Sequence, residues 1–179
     1  MRRAVFLDRD GVLNRAVHRG GRPFVPSSLD ELEILPGVDE ALVRLRAASF
    51  LLIGATNQPD VARGLVSRES VEAIHEFMRK RLPLDDIRVC YHVDTDRCAC
   101  RKPQPGMMFA AAVARQIQLH GSYMIGDRWR DIAAGKAAGC TTILVNSFHE
   151  ESAPYIGPDI ELPDLPAAVD WILQTETNR

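Results

Sequence analysis

The chain has 179 residues, which at a typical ~150 residues per domain makes about one domain. Apolar residues form 46% of it and charged residues 26%, enough to bury one core. With 22 basic against 24 acidic side chains the formal charge is −2, which argues against nucleic acid or a membrane surface as a partner. The longest apolar run, Met107 to Ala114, has eight residues where a membrane helix needs ~20. The apolar stretch from Ala4 meets Asp8 too soon for a signal peptide. The expectation is one cytoplasmic, monomeric domain over residues 1–179, acting on a small molecule.

Short apolar runs alternate with helical patterns. Arg3 to Leu7, Phe50 to Ala55, Ile87 to Tyr91, Tyr123 to Gly126 and Thr141 to Val145 read as buried strands. Between them, Val38 to Ala48 and Val71 to Leu82 place apolar residues at helical spacing, the second after a cap at Ser67 or Ser70. Phe109 to Leu119, Ile132 to Ala138 and Ala167 to Leu173 are the remaining predicted helices. The alternation predicts an α/β fold, a Rossmann-like three-layer α/β/α sandwich with a mainly parallel sheet. Two segments fall outside it, Arg15 to Leu35 and Cys90 to Lys102, and both are placed on loops at one sheet edge, where they could shape a mouth.

Ligands of such folds bind beyond the carboxyl ends of the strands. There the sequence places Asp8 and Asp10, two residues apart, before Gly11; then Thr56-Asn57-Gln58; then Asp127; and, beyond the cysteines, Arg101 and Lys102. Taken singly these are ordinary: Asp-x-Asp-Gly suits a turn, Gly-Asp a helix cap, Thr56 a strand, Lys102 a solvated surface. Together they suit phosphoryl transfer. One carboxylate attacks phosphorus, a second moves the proton, a hard oxygen-loving cation such as Mg²⁺ relieves the clustered acids, and a lysine and a hydroxyl hold the phosphoryl oxygens.

The motifs FLDRDGVLN, ATNQ, CACRKPQPGM and MIGDRWRDI, spread from about Arg3 to Val145, resemble the haloacid dehalogenase superfamily of phosphatases. Within it they are similar to the branch of heptose 1,7-bisphosphate and histidinol-phosphate phosphatases. The resemblance implies a mainly five-stranded parallel sheet without a large cap domain, Asp8 as nucleophile and Asp10 as general acid and base. It implies Mg²⁺ on Asp8, Asp127 and Asp10, the last through its backbone carbonyl, with Thr56 and Lys102 gripping the phosphoryl group. Asn14, Asn57, Gln58, Arg63, Arg101 and Arg128 are the candidate substrate-binding residues, the three arginines suiting a second anionic group. The expected activity is removal of the 7-phosphate of the heptose bisphosphate. The alternatives are histidinol phosphate or another small phosphate ester, and, from a different class, a non-catalytic zinc-stabilised binding domain. Arg128 stands where the heptose branch favours Lys, and Pro59 cannot donate a backbone N–H.

Three of the four cysteines crowd with a histidine. Cys90, His92, Cys98 and Cys100 supply three thiols and an imidazole, a closed tetrahedral set for a structural Zn²⁺. The spacing is tighter than a zinc finger's and matches that phosphatase branch. Its expected role is to hold the loop that carries Arg101 and Lys102, whereas Cys140 reads as a buried small hydrophobe.

Overall fold

Ala4, Val5, Phe6 and Leu7 are all fully buried, as a strand covered on both faces must be. They form β1 (Ala4–Leu7) in a computed structural model that describes residues 2–19, 22–146 and 157–178. The following strands are β2 (Val17–Arg19), β3 (Arg22–Phe24), β4 (Leu51–Asn57), β5 (Asp86–Cys90), β6 (Tyr123–Gly126), β7 (Thr141–Val145) and β8 (Ile160–Leu162). The helices are α1 (Val38–Ala47), α2 (Arg68–Arg81), α3 (Gly106–Arg115), α4 (Trp129–Ala138) and α5 (Leu165–Thr177).

Six strands make one parallel sheet in the order β5-β4-β1-β6-β7-β8, and β2 and β3 pair as a separate antiparallel hairpin. Side-chain alternation along β1 divides the core in two. Val5 and Leu7 pack with Leu42 and Leu45 of α1, Ile74 and Met78 of α2, and Val169 and Ile172 of α5. Ala4 and Phe6 pack on the opposite face with Met108 and Ala111 of α3 and Ala134 and Ala138 of α4. The three-layer α/β/α arrangement follows. From β1 the chain builds outward through β4 to β5, then returns to the other side of β1 at β6. That reversal opens a crevice beyond the carboxyl ends of β1 and β6.

Local chemistry sets the helix ends. Ser67 caps α2 by accepting from the Ser70 N–H at 3.0 Å, and Asp164 caps α5 by accepting from the Ala167 N–H at 2.9 Å, with Pro166 in its first turn. α3 starts three residues before the predicted Phe109, because Pro105 precedes a true helical turn rather than a loop. Only glycine fits at its start: a Cβ on Gly106 would lie 2.2 Å from the Ala99 carbonyl oxygen of the cysteine loop. Gln116, at φ 54°, ends α3 short of the predicted Leu119.

Two elements exceed the sequence expectation. β8 extends the sheet to a sixth strand, three residues long and flanked by Pro158 and Pro163, which pairing with β7 alone makes a strand. The Arg15 to Leu35 segment carries the hairpin and a short 3₁₀ turn at Leu29–Glu31, with no further domain among its described residues. Cys140 is buried, as expected of it.

Candidate active site

The crevice is lined by side chains from four strand ends. Asp8 leaves β1 with its backbone N–H bound to the Ile125 carbonyl of β6 at 2.9 Å, which brings it beside Asp127. Lys102, buried, lays its ammonium against Asp8 Oδ1 at 2.8 Å, Asp131 Oδ1 at 2.5 Å and the Ala55 carbonyl at 2.7 Å. Asp8, Asp127 and Asp131 are buried, and one oxygen of each lies within 4.8 Å of the others. One lysine thus faces three clustered carboxylates. Burial pushes the Asp8 carboxyl up to about 6, with the charges of Asp131 and Asp10 adding to the push and Lys102 opposing it. Burial, then the charges of Asp8 and Asp131, raises Asp127 well above the carboxylate range. Its Oδ1 is buried with no hydrogen-bond partner. An orphaned acceptor in an over-acidic cluster is what a hard divalent cation satisfies. Gly11 completes the enclosure: at φ +91° it is in the left-handed region, and a Cβ there would lie 2.2 Å from Asp127 Oδ2.

Asp10 lines the same cavity but is held by donors. Arg9 approaches side-on, with Nε at 3.2 and 3.1 Å from Oδ1 and Oδ2 and Nη2 at 3.1 Å from Oδ1. Asn14 Nδ2 donates to Oδ1 at 3.0 Å and Gln58 Nε2 to Oδ2 at 2.9 Å. Burial works against this charge, yet Arg9 and the three sets of hydrogen bonds outweigh it and hold the Asp10 carboxyl below its ordinary value. Gln58 also donates to Thr56 Oγ1 at 2.8 Å, which leaves the threonine hydroxyl proton for another acceptor.

These contacts sort the sequence candidates. Asp8, Asp10, Thr56, Asn57, Arg63, Arg101, Lys102 and Arg128 all line one cavity. Asn14 and Gln58 do not: both are buried behind it, where their amides orient Asp10, so each serves the acid rather than a ligand. Asn57 reaches the cavity, but its amide is a two-point clamp on Lys102, donating to the Lys102 carbonyl at 3.0 Å and accepting from its N–H at 3.1 Å.

The cysteine loop begins at the end of β5, where Cys90 stands opposite Asn57 in the sheet register. Sulfur–sulfur distances among Cys90, Cys98 and Cys100 are 3.1, 3.5 and 3.7 Å, and His92 Nδ1 lies 3.5 and 3.4 Å from Cys90 and Cys100. A tetrahedral Zn²⁺ with bonds of ~2.3 Å to sulfur sets ligand atoms ~3.8 Å apart, so the four ligand atoms fit one. The loop hands its order to the cavity through Arg101, whose Nε donates to Asp94 at 2.9 Å and whose Nη1 donates to the His92 carbonyl at 3.2 Å. Arg130 Nη1 shares Asp94, at 3.0 Å. Ala16, Phe24 and Val25, the last two at the end of the hairpin, close the cavity opposite, so the two irregular segments do meet at one mouth. There Arg63 pairs with Asp60 at 3.0 Å, and Arg128 Nε lies 3.8 Å from Asp127.

Comparison with known proteins agrees with this geometry. The HAD-hydrolase-like family model matches residues 99–167. A D-glycero-β-D-manno-heptose-1,7-bisphosphate 7-phosphatase of Bordetella bronchiseptica is 40% identical over 148 residues, covering 80% of each chain. The chain belongs to the heptose-bisphosphate phosphatase family of HAD-like hydrolases. A second family member, from Helicobacter pylori strain J99, is 32% identical over 95% of this chain and 97% of its own. The crystal structure of the D,D-heptose 1,7-bisphosphate phosphatase from B. bronchiseptica, complexed with magnesium and phosphate, superposes with a TM-score of 0.83 at 34% identity. It covers 97% of this chain and 99% of that one. The family chemistry is phosphate-ester hydrolysis, and this member is a phosphatase. Among the described residues no helix is long and apolar enough to cross a membrane.

Asp131, Arg130 and the pair Arg9–His75 join the site beyond the candidates drawn from the sequence. Asp131 left a signal, a second carboxylate four residues after Asp127 in the first turn of α4. There it also accepts from the Arg128 N–H at 3.1 Å, so the start of the helix is capped without using Asp127. Arg9 and His75 left none, since they lie 66 positions apart and meet only through packing.

Proposed function

We propose that this phosphatase removes the 7-phosphate of D-glycero-D-manno-heptose 1,7-bisphosphate with Mg²⁺, through an aspartyl-phosphate on Asp8. The observation that carries the proposal is the setting of Asp8: a buried carboxylate at the crevice, one oxygen on Lys102, sharing a tight cluster with Asp127 and Asp131. The magnesium- and phosphate-bound relative supports it. Asp8, Asp127 and the Asp10 backbone carbonyl would hold Mg²⁺, which neutralises the cluster and the phosphoryl charge.

An Asp8 oxygen attacks phosphorus as the ester P–O bond breaks, and Asp10 gives its proton to the departing alkoxide. Asp10 then takes a proton from water as that water attacks phosphorus, which frees phosphate and restores Asp8. The resting Asp10 is ionised by its donors, and the arriving phosphoryl charge raises its proton affinity to load it. Lys102 and the free Thr56 hydroxyl proton steady the phosphoryl oxygens in the transition state. Asn57 fixes Lys102 from one side, and the cysteine loop, which Zn²⁺ on Cys90, His92, Cys98 and Cys100 would hold together, fixes it from the other. Arg63, Arg101, Arg128 and Arg130 at the mouth supply the cationic surface for the substrate's other phosphate.

Initial rates of phosphate release with Mg²⁺, on heptose 1,7-bisphosphate and on histidinol phosphate, test the proposal beside an Asp8→Asn control. A kcat/KM peak on the heptose ester, lost in the control, is expected. A peak on histidinol phosphate would overturn the substrate assignment, and an active control would overturn Asp8 as nucleophile.

A further inference from the structure

Among the described residues Arg9 is the largest fully buried side chain, at 1% exposure. A guanidinium stays charged in any protein and has five N–H donors and no acceptor, so its burial requires a full set of acceptors. Asp10 takes the Nε and Nη2 edge. The remaining nitrogen, Nη1, lies 3.1 Å from Nε2 of His75, which is itself fully buried on α2. Since Arg9 can only donate, His75 Nε2 must accept, and the imidazole is therefore neutral with its proton on Nδ1. That Nδ1 has no hydrogen-bond partner and faces Glu72 Oε2 at 3.9 Å. Neither Arg9 nor His75 lines the cavity.

We propose that His75 is a positioning residue for the phosphatase reaction: as a neutral acceptor it seats the Arg9 guanidinium, which in turn fixes the plane of the Asp10 carboxylate. This rests on the reading of Asp10 as the group that moves the proton. Arg9 and Asp10 are chain neighbours and leave β1 together, so their fork could pivot as one unit. His75 Nε2 on α2, the crossover from β4 to β5, is the remote point that stops the pivot. Asn14 and Gln58 then complete the carboxylate's surroundings from two further segments. Proton transfer is sharply sensitive to such alignment, whereas substrate binding at the mouth is not.

Leaving-group dependence separates this role from a structural one. A sugar phosphate expels an alkoxide that needs a proton, while p-nitrophenyl phosphate expels a phenolate that does not. His75→Leu removes the acceptor, and His75→Gln keeps one at the Nε2 position. The kcat/KM of His75→Leu on the sugar phosphate is expected to fall by about 10- to 100-fold, with KM within about twofold and p-nitrophenyl phosphate kcat/KM within about threefold. His75→Gln should restore the sugar-phosphate rate to within about threefold. Should His75→Leu fail to fold in a thermal melt, His75→Asn, whose amide stops at the Nδ1 position, takes its place. Equal losses on both esters, no loss on either, or no rescue by glutamine would overturn the proposal. Asp10→Asn run alongside distinguishes the two levels: if it too leaves the ratio of the esters unchanged, the reading of Asp10 fails instead.

Discussion

Replacing Asp127 by asparagine is expected to stabilise the magnesium-free protein while abolishing its response to magnesium. Asp127 is 3% exposed, its Oδ1 lacks a hydrogen bond, and burial and two neighbouring carboxylates hold its charged form at high cost. Asparagine has the same shape without the charge, and replacing buried ionic groups by neutral ones of similar volume typically stabilises by about 1–4 kcal/mol. The Asp8 carboxyl points the same way. Its folded value near 6 lies above the unfolded 3.8, so the folded state holds the extra proton between those values. Stability is therefore present below about 3.8 and lost as pH rises through about 6, a difference of order 3 kcal/mol without a cation. The assay is urea unfolding at neutral pH, in buffers freed of magnesium by dialysis without a chelator, which would strip any metal from the thiols. Magnesium at about 100 times its Kd should then add about 2.7 kcal/mol to the wild type and little to the variant, reversing their order. A variant less stable than wild type without magnesium, or stabilised equally by it, would refute the account of the cluster as a charge-frustrated cation cage.

Three further outcomes are expected. Cys98→Ser should reduce bound zinc from one equivalent to a small fraction by metal analysis, and lower kcat by about tenfold or more as Lys102 loses its support. Asn57→Ala breaks the two bonds that clamp the Lys102 backbone and should cost about 10- to 100-fold in kcat with zinc content unchanged, read from steady-state rates and metal analysis together. His75 is held at about 4, below its ordinary 6.5, first by burial and then by the Arg9 charge. Its contribution is thus complete above about 6.5 and is lost as pH falls toward about 4, of order 3 kcal/mol. The stability difference between wild type and His75→Gln across that window should carry this slope, and a pH-independent difference would count against a buried neutral imidazole.

The sequence by itself determined the layers and the strand ends. Fully apolar runs such as Ala4–Leu7, too short for a buried helix, read as strands covered on both faces, and helical spacing between them implies parallel crossovers, so acids placed just after the runs converge. That Asp8, Asp10, Thr56 and Lys102 meet in one crevice, and that Cys90, His92, Cys98 and Cys100 cluster, was legible because each belongs to a short local motif. Elements made by partners were not. β8 is three ordinary residues until β7 offers its edge, and α3 begins at a Pro-Gly that reads as a turn until the Ala99 carbonyl packs against Gly106. The same distinction runs through the site. Asn14 and Gln58 look like ligands in the motif, yet the fold buries them behind Asp10. Asp131 becomes part of the carboxylate cluster only because α4 delivers it to Lys102. The Arg9–His75 contact joins positions 66 apart. Local propensity and periodicity decide which residues reach an edge, but a hydrogen-bond partner across the sheet is chosen by packing, and that exists only in the folded chain.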